Sequence, residues 1–302
     1  MRCRFSHFVV LAWTLGLAVI GYTRDSNVQQ HLRDQYQGKT LLLRGFYSAG
    51  HLRYDASGMP LRGAVPGDWT ADGFVLVNGF RFSHKHLIIQ AQRVGVFRES
   101  KEFLLRPVET TQADQQKEPV RVDLELDLGP ENSVEQFDAA LSKIFLTPQD
   151  HIADLVPDYW KPCVPDGLIG RADSCRFSQD LLTVPGVASA ESNSNPVAAD
   201  SRSAKGQSFH VGNGVSPPRV AFHREPEFSE RARQVKYQGT VTLGLTVGSD
   251  GVPTNIRILS PLGAGLDDQA VRAVEKWKFD PAEKDGQPVP AQIAVEVDFH
   301  LY

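Results

Sequence analysis

The chain has 302 residues, 41% of them hydrophobic, with 32 Lys and Arg against 36 Asp and Glu and a formal net charge of -4. That length leaves room for two domains with a core each, and the ordinary apolar content places most of the chain in water. The near-balanced charge argues against nucleic acid or an acidic membrane surface as the main partner.

Residues 1–22 stand apart. Arg2 and Arg4 precede a run without charge from Phe5 to Tyr22. A helix over that run spans roughly 27 Å, against a hydrocarbon core of ~30 Å. The length lies between a signal peptide and a short membrane anchor, and both readings stand. Either way the body of the protein is exported. Of three cysteines, Cys3 lies in this leader, which leaves Cys163 and Cys175 as a pair in an oxidising compartment. A disulfide between them is expected, with two free buried thiols as the alternative. Their spacing is too long for a zinc knuckle and no histidine lies between them, so no metal is assigned there.

Residues 23–185 read as a β-rich α+β domain, barrel-like or sandwich-like, with one or two helices. Strand-like runs at Thr40–Phe46, Gly73–Val77, His86–Gln92 and Val94–Phe97 are separated by Gly, Pro and Asp clusters. From Val120 to Leu128, apolar Val120, Val122, Leu124, Leu126 and Leu128 alternate with charged residues. Ser133 is placed to cap a helix whose Val134, Phe137, Leu141, Ile144 and Phe145 form an apolar stripe. A second short helix is expected over Gln149–Leu155. Residues 186–216, rich in Ser and Asn, read as a flexible linker between two independently folded units.

The most informative stretch is 217–302. Val241, Leu243, Leu245 and Val247 alternate with Thr and Gly, then Gly248-Ser249-Asp250-Gly251 turns the chain into a second strand at Ile256–Leu259. Asp267 and Asp268 open a helix in which Leu266, Ala270, Ala273, Val274 and Trp277 share a face, and Pro281 stops it. Pro226, Ala232, Gly239, Val241, Asp250-Gly251, Ser260, Leu266-Asp267, Ala270-Val271, Ala273-Val274, Trp277-Lys278-Phe279 and Pro281-Ala282 occur in the order of a known family. On these marks the stretch resembles the TonB C-terminal domain.

The resemblance implies a small antiparallel sheet packed with two helices, and a periplasmic protein held in the inner membrane by residues 5–22 if they are retained. It also implies an energy transducer that binds peptides of outer-membrane TonB-dependent receptors to support transmembrane transport, and coupling to an ExbB/ExbD-type proton channel. A homodimer is a further expectation. An exported peptide- or protein-binding module without energy coupling is the alternative. Two departures favour that alternative: the linker is not Pro-rich and does not follow the leader, and Ser6 is followed directly by His7 without the family's spacing. The family's Tyr-Pro contact region reads Pro226-Glu227-Phe228-Ser229, so receptor choice is not carried over.

Ala291–Leu301 alternates at period two and ends the chain, which makes it a candidate sheet edge. The resemblance implies that a receptor peptide adds to this strand, beside Gln292, Ala294, Glu296, Asp298 and His300. Elsewhere, His84 and His86 read as surface histidines, and Asp123, Glu125 and Asp127 as the solvated face of an edge strand. No nucleophile elbow, phosphate loop or His-Glu-x-x-His is present. Neither an enzyme nor a cofactor is expected.

Overall fold

The computed structural model describes residues 16–99, 102–111, 117–129, 132–147, 149–164, 209–210 and 214–301. Its first helix, α1 (Gly16–Tyr36), leads into β1 (Thr40–Leu42), β2 (His51–Tyr54), the short α2 (Trp69–Asp72), β3 (Phe74–Phe82) and β4 (His86–Glu99). Then come β5 (Glu102–Pro107), β6 (Glu109–Thr111), β7 (Lys117–Pro119), β8 (Arg121–Asp127) and α3 (Val134–Ile144). Two 3-10 turns follow, Ile152–Asp154 and Asp158–Cys163. Most of residues 1–22 lies outside the described residues. Among those described, no helix is long and apolar enough to cross a membrane.

The N-terminal sheet has the order β1-β3-β4-β8-β2, with β5 also on β4. It is an open sheet backed by helices, where the sequence pointed to a barrel or sandwich. One face alternates apolar residues, Leu87, Ile89 and Ala91 on β4 and Val122, Leu124 and Leu126 on β8, all buried. Val28 and Leu32 of α1, one turn apart, cover that face together with Phe137, Ala140, Leu141 and Ile144 of α3. His31 Nε2 and the Tyr36 hydroxyl meet Asp138 at 2.9 and 3.0 Å, tying the helices together. Ser133 caps α3 as expected, accepting from Gln136 N at 3.4 Å. The strand carrying Asp123, Glu125 and Asp127 is not an edge: β8 lies between β4 and a parallel β2. Its alternation is that of a sheet with one wet face, which looks the same in the interior and at the edge.

The run expected as two strands around Arg93 is one, β4. A charge at its middle is tolerated because the buried Arg93 guanidinium donates to the carbonyls of Asp72, Tyr47 and Ala49 at 2.5, 2.5 and 2.8 Å. Burial pushes its pKa down to about 10.

The C-terminal part runs β9 (Phe209–His210), β10 (Arg219–Phe222), α4 (Glu230–Gln234), β11 (Gly239–Val247), β12 (Pro253–Ser260) and α5 (Leu266–Val274). It ends in β13 (Lys278–Asp280), β14 (Ala282–Lys284), β15 (Gln287–Val289) and β16 (Ala291–Phe299). Its main sheet has the order β12-β11-β16-β9. The hairpin turns at Gly251, whose φ of 75° and approach to the Phe279 carbonyl leave no space for a Cβ. The last part of the expected linker is folded here: β9 pairs with β16, and Val215 bridges to Lys284.

The two parts share a core. Trp69, Phe74, Val96, Phe97 and Trp160 belong to the same buried cluster as Val241, Leu243, Leu262, Ala264 and Leu266. The far end of β4 makes an antiparallel bridge from Phe97 to Gly263, with Ala264 N donating to Val96 O at 2.7 Å and Arg98 N to Leu262 O at 3.0 Å. Two units joined by a linker alone is therefore an incomplete description.

Candidate functional site

The outer edge of the C-terminal sheet is built from β16. Its nine residues pair in unbroken antiparallel register with β11, from Ala291 opposite Val247 to Phe299 opposite Gly239. Val297 and Phe299 are buried, Ile293 and Val295 half-buried, and Ala294, Glu296 and Asp298 exposed, as period-two alternation on a one-sided sheet requires. Phe299 stacks edge-on against Phe228 with ring centroids 5.5 Å apart. The altered Pro226–Ser229 stretch thus has a structural role here. Ser229 also caps α4, accepting from Ala232 N at 3.0 Å, and its hydroxyl donates to the Ala264 carbonyl.

The other side of β16 is only partly covered. Strand β9 pairs in parallel with Ala291 and Gln292, and among the described residues no strand pairs with 293–299 on that side. Phe209 N donates to Pro290 O at 2.9 Å, which sets the phase of the edge. Alternate residues of a strand point their N–H and C=O the same way, so Gln292, Ala294, Glu296 and Asp298 turn theirs outward, away from β11. Segment Arg219–Phe222 pairs with β13 and not with this edge.

The five residues expected at the site therefore lie along one edge. Gln292 is half-buried beside β9, Ala294 and Glu296 are exposed, Asp298 accepts from the Thr240 hydroxyl at 2.5 Å, and His300 is exposed just past the strand. Leu301 N donates to the Gln238 side chain at 2.9 Å and ties down the end. Cys163 is buried and in a disulfide, its sulfur 3.5 Å from the Ile258 carbonyl oxygen. Cys175 lies outside the described residues.

What ties the C-terminal part to the N-terminal one was missed in the sequence. Asp267 is fully buried and accepts from Leu262 N and Gly263 N, both at 2.7 Å, so it fixes the loop before α5. Burial pushes its pKa up to about 8, and the two backbone donors oppose that without cancelling it. Asp268 reaches the other way, accepting from the Tyr159 hydroxyl at 2.6 Å and Trp160 Nε1 at 3.3 Å. Burial raises its pKa as well. Arg272 of α5 donates to Asp68 at 2.8 Å, and Arg231 pairs with Asp72 at 3.0 Å. Asp68 rises to about 7 through burial first and the nearby Asp268 charge second. Two consecutive carboxylates at a helix start, followed by Arg272, were the only sequence signal, and the dipole accounted for them equally well.

The family model described as the Gram-negative bacterial TonB protein C-terminal matches residues 224–301. Over 77 residues the chain is 34% identical to protein tonB2 of Pseudomonas aeruginosa, covering 25% of this chain and 28% of that protein. Over 86 residues it is 31% identical to protein TonB of Vibrio cholerae, covering 28% of this chain and 35% of that one. The chain thus spans about a third of the length of these relatives. A solution structure of the Pseudomonas aeruginosa TonB C-terminal domain matches at 22% identity and a TM-score of 0.25, over 31% of this chain and 93% of that one.

Proposed function

We propose that this chain, whose residues 224–301 match the TonB C-terminal family model, is a TonB-type protein that captures extended receptor peptides on the outer edge of β16. So read, the chain is a TonB-type energy transducer rather than an enzyme. In this reading the partner is the N-terminal peptide of an outer-membrane TonB-dependent receptor, bound from the periplasm in support of transport. Residues 5–22 anchor the chain in the inner membrane, and an ExbB/ExbD-type proton channel supplies the energy.

The observation that carries the reading is the edge over 293–299, with which no strand pairs among the described residues. Outward N–H and C=O groups there offer a ready ladder to an added strand. Backbone pairing supplies affinity, and Glu296 and Asp298 bias the choice of peptide. One observation favours the alternative of a binding module without energy coupling: the C-terminal core is continuous with the N-terminal sheet, so the edge sits on a rigid body.

The test uses the full chain and extended peptides from receptor N-termini. Glu296→Pro removes an outward N–H and should abolish binding while circular dichroism stays unchanged, whereas Glu296→Ala should bind. Unchanged affinity in the folded proline variant, or no binding at high micromolar peptide, overturns the proposal. Co-purification of a proton-channel complex from membranes separates the transducer from the uncoupled module.

A further inference from the structure

The wet face of the N-terminal sheet carries a cluster that neither the edge nor the shared core uses. His86 of β4 is directly opposite Asp127 of β8, and Glu125 lies two residues away on the same face. His51, on the other neighbour β2, faces Glu125 from the opposite side. We propose that His86, Glu125 and Asp127 form a three-residue binding site for a divalent transition metal of the zinc class, with water as the fourth ligand.

Geometry supports it first. His86 Nδ1 lies 3.0 Å from Asp127 Oδ1 and 3.5 Å from Glu125 Oε1, and His51 Nε2 lies 3.3 Å from Glu125 Oε2. The ligating atoms of His86, Glu125 and Asp127 all fall within 4.8 Å of one another. In a tetrahedral site with bonds of about 2.0–2.2 Å, neighbouring ligand atoms are separated by roughly 3.3–3.5 Å. Small rotations suffice to close the set, because the three strands are pinned by buried Leu52, Ile89 and Leu124 on the opposite face.

Chemistry selects the metal class. Imidazole with carboxylates suits zinc and its neighbours, whereas calcium asks for six to eight oxygens and cuprous copper for sulfur. The competitor is Arg53, whose Nε donates to Glu125 Oε1 at 3.2 Å. Half-exposed, its guanidinium can turn into water when a cation takes its place. A cluster that serves only as an ion-pair network has the opposite requirement and needs Arg53 where it is.

The full chain, stripped with a chelator, is titrated with zinc chloride by calorimetry and with cobalt(II) by visible absorption. One metal per chain and the absorption of tetrahedral cobalt are expected. His86→Ala and Asp127→Asn should each weaken binding at least about tenfold, as loss of a supporting residue alone can do. Arg53→Ala should tighten it at least about fivefold, the value of one like charge removed at ~4 Å with the screening of bulk water. These side chains lie on the solvated face, so the fold should survive, and circular dichroism checks this. Should His86→Ala fail to fold, the Asp127→Asn and Arg53→Ala titrations decide. No stoichiometric binding, or affinity unmoved by these variants, overturns the proposal.

Discussion

The two sheets solve the same problem differently. In the N-terminal sheet the central β4 is flanked on both sides, and its apolar face is closed by helices that come from either end of the domain. In the C-terminal sheet β11 is central, and among the described residues no strand pairs with most of the outer side of the last one. The first assembles elements far apart in the chain, α1 with α3 and β2 with β8. The second is built largely of neighbours, a hairpin followed by a helix and a returning strand. Long-range assembly makes a sheet with its apolar face covered, and local assembly leaves an edge strand. The join between them is the tip of β4 against the loop before α5.

The comparison breaks first at that join. Gly263 has φ 95°, and a Cβ there would lie 2.2 Å from the Val96 carbonyl oxygen. Gly263→Val should cost about 3 kcal/mol or more. In urea, both regions should lose stability together in a single transition. Two transitions, with the N-terminal one unmoved, would show that the sheets fold separately.

A pH titration should give the next effect. Asp267 and Asp68 are raised to about 8 and about 7, against ~3.9 for an unfolded Asp. The folded state therefore holds protons that the unfolded state has released. Their stabilising contribution is fully present below pH ~4 and is lost as pH rises through 7 and 8. The urea midpoint should fall between pH 6 and 9, and Asp68→Asn should flatten the slope near pH 7. An unchanged slope would exclude Asp68 as a source.

The smallest effect is expected from Tyr159→Phe, which removes the 2.6 Å donor to Asp268. About 1–2 kcal/mol should be lost, since a buried carboxylate forfeits one of its partners. Peptide affinity at the β16 edge should stay within twofold, a result that would distinguish support of the frame from contact with the ligand; a larger drop would place α5 in the binding site.

How much of this was legible follows from the same contrast. The Gly248–Gly251 turn and the alternation of β11 and β16 are local, and the structure has them where periodicity put them; α5 has its buried stripe but ends at Val274, ahead of Trp277, and Lys278–Asp280 is already a strand before Pro281. Helix α3, with its Ser133 cap, is local too. The helix over 24–36 was not legible, because Val28 and Leu32 are the main apolar anchors in a polar run. Short strands β2 and β5 lack the length to show a period. The Arg93 break was misleading because a charge satisfied by three distant carbonyls looks like a strand end. At the site, the outward phase of Gln292, Ala294, Glu296 and Asp298 needed Pro290 and Phe209, which are distant in sequence. The metal-type cluster shows the same limit. His86 and the Asp123–Asp127 carboxylates were each visible, but the pairing that joins them, and the approach of His51, exist only across strands.

The long β4 also has a mechanical meaning. A tensile load applied along β16 would first be borne by nine paired residues shared with β11, held in shear so that many bonds resist at once. From there it could reach the N-terminal sheet through the Phe97–Gly263 bridge, where the two backbone bonds between Val96–Arg98 and Leu262–Ala264 are backed by side-chain packing. Beside that bridge the Arg272–Asp68 and Arg231–Asp72 pairs and the Tyr159–Asp268 bond lie in parallel, so the join would share the load over the whole seam rather than over two bonds.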